Sequence, residues 1–489
     1  MNKSFSIPVE IQKTTETLEN AGFEAFLVGG CVRDMILGRE PKDWDITTNA
    51  TPEQIVALFP HTFYENTFGT VAVVIDEIED ERLKTIEITP YRLEGMYSDN
   101  RRPDTVTFAT DIDQDLKRRD FTMNALAYSV SKGHIKDNYT GIADIEAQTI
   151  RTVGEPGERF TEDALRIIRA VRFYAELGFI ISPETEKAIL EHGHLLEKIS
   201  RERVRDEFSK ILMSSRPMEA IIMLKKLNIL SYIVPELEKT IGVEQNRAHA
   251  FDVWEHLLRS LQTAADKNWP LDIRLAALFH DISKPESRRW GKEQNTWTFY
   301  GHEVVGARVT KKILENLKFS KKIIDKVVVL VRWHMFFSDT EQISLSAVRR
   351  MIVNVGRENI WDLMNVRICD RIGTGRPKED PYRLRKYHAM IEEALRDPIS
   401  VGMLKIDGKR LMEVTGMPPG PKIGYTLHAL LEEVLEDPTK NTAEYLENKA
   451  KELVLLPESE LKALGEAGKE SKEEKDQELL EEIHRKHRV

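Results

Sequence analysis

The sequence predicts an α/β unit over residues 1–150 followed by a mostly α-helical remainder. Three observations carry this. Short β-branched runs separated by helix signals fill the first part. From about Thr161 the pattern turns to helical periodicity with few strand-like runs. A chain of 489 residues also exceeds one hydrophobic core, because single cores stop growing near ~250–300 residues, so several packed domains are expected.

In chain order, a helix ends near Gly22 and a strand over Glu24 to Val28 runs into Gly29-Gly30, after which Val32-Arg33-Asp34 opens a helix. Further strands are expected at Asp43 to Thr47, Thr70 to Ile75 and Leu83 to Thr89. Thr51-Pro52-Glu53-Gln54 has the form of a helix start, with an N-cap, a proline at the first position and a glutamine able to reach back. Much later, Met417-Pro418-Pro419-Gly420-Pro421 separates a small C-terminal unit. Beyond Leu456 a run of Glu and Lys reads as a solvated helix or a disordered tail.

Composition narrows the chemistry. No stretch approaches the ~20 apolar residues of a membrane span, and Met1 to Phe5 lacks a signal-peptide core, so a cytoplasmic setting without membrane contact is expected. With only Cys31 and Cys369 available, cysteine-based zinc sites are excluded and any metal must sit on His, Asp or Glu. The net charge of −10 argues against bulk nucleic-acid binding, yet Arg101-Arg102, Lys117-Arg118-Arg119 and Arg201 to Arg205 leave room for local basic grooves.

On a strand, residues two apart share a face, so Asp43 and Asp45 are expected side by side with Trp44 turned to the opposite layer. Two carboxylates suit a pair of Mg²⁺ ions, which activate an attacking hydroxyl and neutralise leaving pyrophosphate; Glu87 on a neighbouring strand is the expected third carboxylate. Upstream, Gly29-Gly30 and Arg33 place backbone N–H groups and a cation where a triphosphate can approach. Each feature alone also reads as a plain turn or an incidental acidic pair. A basic helix start follows at Asp115 to Ala125, and a spacing of three predicts Asp163, Arg166, Arg169 and Arg172 along one helix face.

In this order, Gly29-Gly30-Cys31-Val32-Arg33-Asp34, Asp43-Trp44-Asp45-Ile46, Asp115 to Ala125 and Glu162 to Phe173 resemble the polymerase-β-like nucleotidyltransferases, specifically the class II tRNA nucleotidyltransferase and bacterial poly(A) polymerase family. The resemblance implies a head with a mixed sheet, a helical neck, tRNA as partner, and CTP and ATP as substrates. It implies nucleotide contacts for Gly29, Gly30, Arg33, Arg118, Arg119, Asp120, Asn124, Asp163, Arg166, Arg169 and Arg172. Cytosine and adenine each show an amino donor beside a ring-nitrogen acceptor, which a carboxylate and a guanidinium match. Uracil and guanine present a carbonyl instead, and Asp163 would then face an acceptor. Tyr91 to Asp104 resembles the loop that switches from C to A addition, and Ile199 to Glu207 resembles the last family motif, which supports the neck.

A second constellation, His256, His280-Asp281, His302, His334 and Asp370, resembles the HD phosphohydrolase superfamily. Imidazole and carboxylate ligands suit Ni, Mn, Fe or Zn, or Mg. A divalent ion that lowers the pKa of water, beside Lys284 as a phosphate anchor, implies phosphomonoester or phosphodiester hydrolysis, with a terminal or cyclic phosphate on a damaged RNA end as a candidate substrate. The expected division is a nucleotidyltransferase head at 1–150, a neck at 151–215, an HD body at 216–400, a helical RNA-binding tail at 401–456 and a charged end at 457–489. The tail reads nearly as well as a cap that only closes the core. An A-only or poly(A)-adding enzyme, and an HD hydrolase whose head merely docks RNA, are the rival readings. Oligomeric state is not read.

Overall fold

The computed structural model describes residues 5–64, 69–76, 78–94, 106–246, 250–292, 295–335, 343–376, 378–379 and 381–466. The chain divides into two compact units, residues 1–235 and 236–489. No helix among the described residues is long and apolar enough to cross a membrane.

The first unit opens with α1 (Val9–Asn20), β1 (Ala25–Val28) and α2 (Gly30–Ile36). It continues through β2 (Asp45–Thr48), α3 (Pro52–Leu58), β3 (Thr62–Tyr64), β4 (Val71–Val74) and β5 (Thr85–Pro90). The cap read from Thr51 forms as a complete capping box, with Gln54 and Thr51 exchanging hydrogen bonds. After β6 (Arg92–Glu94), β7 (Val106–Phe108) and α4 (Ile112–Lys117), the strands β8 (Leu126–Ser129) and β9 (His134–Asp137) complete a mixed seven-stranded sheet of order β3-β4-β5-β2-β1-β8-β9. Only β2 and β5, among its pairs, run parallel. Alternation fixes the register: Ile86 and Ile88 are buried while Thr85 and Glu87 face solvent. Val28, Tyr91, Ala109, Ile112, Leu116 and Ala127 form one core cluster.

The expected loop over Tyr91 to Asp104 begins differently, because Arg92–Glu94 pairs antiparallel with Val106–Phe108. The rest of that segment, with the Arg101-Arg102 cluster, lies outside the described residues.

Helices then take over: α5 (Gly141–Glu146), α6 (Pro156–Glu162), α7 (Leu165–Leu177), α8 (Pro183–His192), α9 (Arg201–Met213) and α10 (Pro217–Lys226). A small parallel pair, β10 (Thr149–Ile150) with β11 (Ile180–Ile181), ties the sheet-bearing part to them. α7 buries Ile167, Ile168, Ala170 and Val171, and Gly178 in the left-handed region (φ 77°) stops it. α10 packs on α7 and α9, so this unit runs past residue 215 to Pro235.

α7 and α9 are locked by a buried ion pair in which Arg172 Nη1 lies 3.0 Å from both oxygens of Glu207. Their side chains are only 10% and 5% exposed. Removing one partner strands the other charge, at a cost of about 3–5 kcal/mol. Glu207→Ala is therefore expected to lower the unfolding free energy of the first unit by about that amount, read as a lower urea midpoint with little change in slope in equilibrium unfolding.

The second unit starts within α11 (Pro235–Glu238) and is built from α12 (Val253–Asp266), α13 (Leu271–Phe279), α14 (Lys284–Ser287), α15 (His302–Asn316), α16 (Lys321–Trp333), α17 (Leu345–Val355), α18 (Ile360–Gly373) and α19 (Tyr382–Ala394). α12 and α13 pack on one another and on α18, and α16 packs on α13 and α15. An unforeseen hairpin, β12 (Arg289–Gly291) with β13 (Thr296–Thr298), interrupts the helices; Trp290 and Trp297 face each other across it at 5.0 Å. α20 (Gly408–Thr415), α21 (Pro421–Glu436), α22 (Ala443–Leu453) and α23 (Glu458–Glu466) follow. Arg349 on α17 anchors this tail through Asp397 and the carbonyl of Leu435. The charged end is not solvated throughout, since α23 packs on α21 and buries Leu461. Residues 467–489 lie outside the described residues.

Candidate nucleotide-transfer site and metal centre

Asp45 opens β2, the middle strand of the sheet, and its register partner on β5 is Glu87. Neighbouring parallel strands thus place these two carboxylates abreast. Asp43 is not on the strand as expected; it sits in a bend just before it. The intended alternation survives nonetheless, with Trp44 buried between an exposed Asp43 and a half-buried Asp45. Asp43, Asp45 and Glu87 are not gathered into one sphere of ligand atoms; the groups of that kind among the described residues lie in the second unit.

Gly29 caps α2 with φ 74°, a left-handed conformation that favours glycine. A β-carbon there would lie 2.8 Å from Arg119 Nη1 and 3.8 Å from Asp45 Oδ2, so turn, guanidinium and carboxylate meet at one point. Gly29→Ala should therefore combine about 1–3 kcal/mol of backbone strain with displacement of Arg119. Steady-state kinetics should show a nucleotide KM raised roughly tenfold, the equivalent of ~1.4 kcal/mol.

Around this point the basic residues are held by carboxylates. Arg118 donates to Asp115 Oδ1 at 2.9 and 2.7 Å, and Arg119 donates to Oδ2 at 3.2 Å. Burial pushes the Asp115 carboxyl up, but the two guanidinium charges outweigh it and the group lies below its ordinary value. A second chain runs from Arg33 to Asn124 Oδ1 (2.8 Å), from Asn124 to Asp120 Oδ1 (3.2 Å), and from Arg169 to Asp120 Oδ2 (2.8 Å). Burial raises the Asp120 carboxyl, and the Arg169 charge with the hydrogen bonds from Arg169 and Asn124 reverses this, bringing it down to about 2. The guanidinium groups of Arg33, Arg169 and Arg172 lie 5.4, 5.4 and 4.4 Å from the ring centre of Phe173, a residue the sequence reading did not single out.

The predicted helix face of Asp163, Arg166, Arg169 and Arg172 is corrected at its first member. α6 ends at Glu162 and Asp163 is extended (φ −141°), so it precedes α7 rather than lying on it. Its Oδ1 accepts from Leu165 N at 3.1 Å, and its carboxylate is forked by Arg203 at 3.1 and 2.7 Å. Arg166 is buried and donates to Glu162 Oε2 (2.6 Å) and to the carbonyls of Arg159 (3.0 Å) and Arg118 (2.9 Å). Arg172 donates to both oxygens of Glu207 at 3.0 Å.

In the second unit all six ligands read from the sequence converge. His256, His280, Asp281 and Asp370 form one group whose ligand atoms lie within 4.8 Å of one another, and Asp281, His302 and His334 form another. Asp281 belongs to both: its Oδ2 lies 3.0 and 3.3 Å from Nε2 of His256 and His280, its Oδ1 3.0 and 3.4 Å from Nε2 of His302 and His334. Local backbone sets the tautomers. Nδ1 of His280, His302 and His334 points at the carbonyls of Ala277, Phe299 and Val331 at 2.9, 2.6 and 2.7 Å. That direction turns each Nε2 lone pair inward.

Such facing acceptors fit a cation. Asp281 Oδ1 is buried and accepts no well-formed hydrogen bond. Burial disfavours the charged form of His280, and the neighbouring Asp281 and Asp370 carboxylates outweigh it and raise its pKa. Burial instead dominates at His334 and brings it to about 4. His256, His280, Asp281, His302, His334 and Asp370 would hold a divalent metal, which would supply an activated water when bound.

Lys284, expected as a phosphate anchor, is buried, ion-paired with Asp281 and donates to Gln245 Oε1 at 2.6 Å. It thus touches the carboxylate common to both groups. Lys284 also lines the adjoining cavity of about 1100 Å³. The arginines facing it are Arg367, Arg371, Arg376 and Arg383, with Trp297, Tyr300 and Tyr382 as aromatic walls. None of these was singled out from the sequence, although Arg367 and Arg371 stand three before and one after the ligand Asp370 on α18.

Three family models match successive parts of the chain. The family described as "Poly A polymerase head domain" matches residues 25–151, "Probable RNA and SrmB- binding site of polymerase A" matches 178–241, and "HD domain" matches 253–372. The CCA-adding enzyme of Geobacillus thermodenitrificans (strain NG80-2) is 33% identical over 435 residues, covering 87% of this chain and 92% of that protein. The CCA-adding enzyme of Anoxybacillus flavithermus (strain DSM 21510 / WK1) is 44% identical over 238 residues, which span 48% of this chain and 57% of that relative's length. A crystal structure of Bacillus stearothermophilus CCA-adding enzyme in complex with CTP matches with a TM-score of 0.68 at 28% identity, covering 91% of this chain and 98% of that one. With a nucleotidyltransferase head at the position of Asp45 and Glu87 and near full-length kinship beyond it, the chain belongs to the CCA-adding enzyme family and carries an HD domain.

Proposed function

We propose that the protein adds C, C and A to tRNA 3′ ends from CTP and ATP, acting in the cytoplasm without a nucleic-acid template. The observation that carries this is the pairing of Asp45 with Glu87 beside Gly29 and Arg119, in a chain so similar to CCA-adding enzymes. Asp43, Asp45 and Glu87 would hold Mg²⁺, which when bound favours attack of the RNA 3′-hydroxyl on the α-phosphorus and loss of pyrophosphate. Gly29, Gly30, Arg33, Arg118, Arg119, Asp120, Asn124 and Arg169 form the wall for ribose and phosphates. Asp163 and Arg166 face the base.

Incubation with a tRNA acceptor and each of the four nucleoside triphosphates tests this. Extension with CTP and ATP but not UTP or GTP is expected. Preference for an oligo(A) primer over tRNA would overturn it in favour of poly(A) synthesis.

A second activity is favoured by the convergence of six ligands around Asp281. We propose that the HD site hydrolyses a phosphate ester, with Ni, Mn, Fe, Zn or Mg as the divalent ion and Lys284 and the arginines of the cavity holding the phosphate. RNA ending in a cyclic phosphate, with Ni²⁺ or Mn²⁺ added, is the first substrate to offer. Ring opening to a terminal monophosphate, or release of phosphate from it, that survives His280→Ala would sink the assignment.

A further inference from the structure

We infer that Arg203 sets nucleotide specificity by positioning Asp163, leaving that carboxylate one acceptor position in a fixed direction. The inference rests on the proposal that Asp163 faces the incoming base.

A carboxylate offers about four lone-pair positions. On Asp163, Oδ1 accepts from Leu165 N (3.1 Å) and from Arg203 Nη1 (3.1 Å), and Oδ2 accepts from Arg203 Nη2 (2.7 Å). The remaining position is on Oδ2. The two prongs come from different elements: Leu165 belongs to the first turn of α7, and Arg203 stands on α9. A planar guanidinium engaging both oxygens fixes the plane of the carboxylate, which a single hydrogen bond would leave free to turn. Side-chain exposures of 17% for Asp163 and 28% for Arg203 keep the pair at the edge of the protein, where a base can reach it.

Cytosine and adenine carry an exocyclic amino group, and one of its N–H bonds fills one acceptor. Uracil and guanine carry a carbonyl at that place and a ring N–H one position along. A carboxylate free to rotate or slide could accept from that ring N–H instead, and so would tolerate the wrong base. Held by Arg203, Asp163 stays in line with the amino group and meets a carbonyl oxygen head-on when uracil or guanine enters, a mismatch that leaves a buried acceptor unpaired. Lysine at 203 would keep the charge but not the fork.

The test measures kcat/KM for CTP, UTP, ATP and GTP on one tRNA acceptor with full-length Arg203→Lys and Arg203→Ala proteins. We expect the CTP-to-UTP and ATP-to-GTP ratios to fall by about tenfold or more in both variants, with kcat for CTP changing less than the ratio. A role confined to joining α9 to α7 would slow all four nucleotides alike, and unchanged ratios would overturn the inference. If Arg203→Ala does not fold, Arg203→Lys alone decides. Asp163→Asn run in parallel separates the two levels. Ratios unchanged in Asp163→Asn would refute base reading by Asp163; ratios that collapse there but hold in Arg203→Lys would refute only the role of Arg203.

Discussion

Asp45→Asn is expected to lower nucleotide addition by about three orders of magnitude, the consequence of losing several kcal/mol of metal-mediated stabilisation of the transition state. The substitution keeps shape and hydrogen-bonding size but removes the charge from the middle strand of the sheet, directly beside Glu87. Burial of Ile46 and Trp44 on either side is untouched, so thermal unfolding should shift little. Rapid-quench measurement of single additions separates this from weaker tRNA binding. A loss confined to KM, with kcat intact, would place Asp45 in binding rather than chemistry.

The second large effect concerns Asp281. Because it alone belongs to both ligand groups, Asp281→Asn should empty both. The divalent metal bound by the second unit should fall to background in elemental analysis of the purified protein, and phosphate-ester hydrolysis should disappear with it. His302→Ala, which touches one group, should leave metal on the other. Retention of full metal content in Asp281→Asn would contradict a shared ligand. Nucleotide addition, carried by residues of the other unit, serves as the control for folding.

How much of this was legible depends on which physical signal each residue obeys. The six HD residues were readable because an adjacent His-Asp after an apolar run, with further His and Asp in that order, resembles a known superfamily, and all six meet. The Asp45–Glu87 pairing was readable because strand alternation and β-branched runs are local. Asp43 and Asp163 were misplaced for a shared reason: spacing rules were carried through a break in the backbone. At Asp163 the side chain accepts from the N–H two residues on, which competes with continuing the helix from α6. Arg203 lay within a recognised motif, but its partner is forty positions away in sequence. The Trp290–Trp297 hairpin and the arginine-lined cavity likewise depend on tertiary contacts that no short window contains. Arg166 and Arg172 have the predicted spacing, yet their hydrogen-bond partners, Arg118 O and Glu207, come from other elements.

The central claim is that this chain builds a defined trinucleotide end. The most direct measurement offers a tRNA lacking its last three nucleotides CTP alone, ATP alone and both together, and reads product length at single-nucleotide resolution. Two additions with CTP alone, none with ATP alone, and three with a stop when both are present is the result expected. Growth by A alone without limit would contradict it.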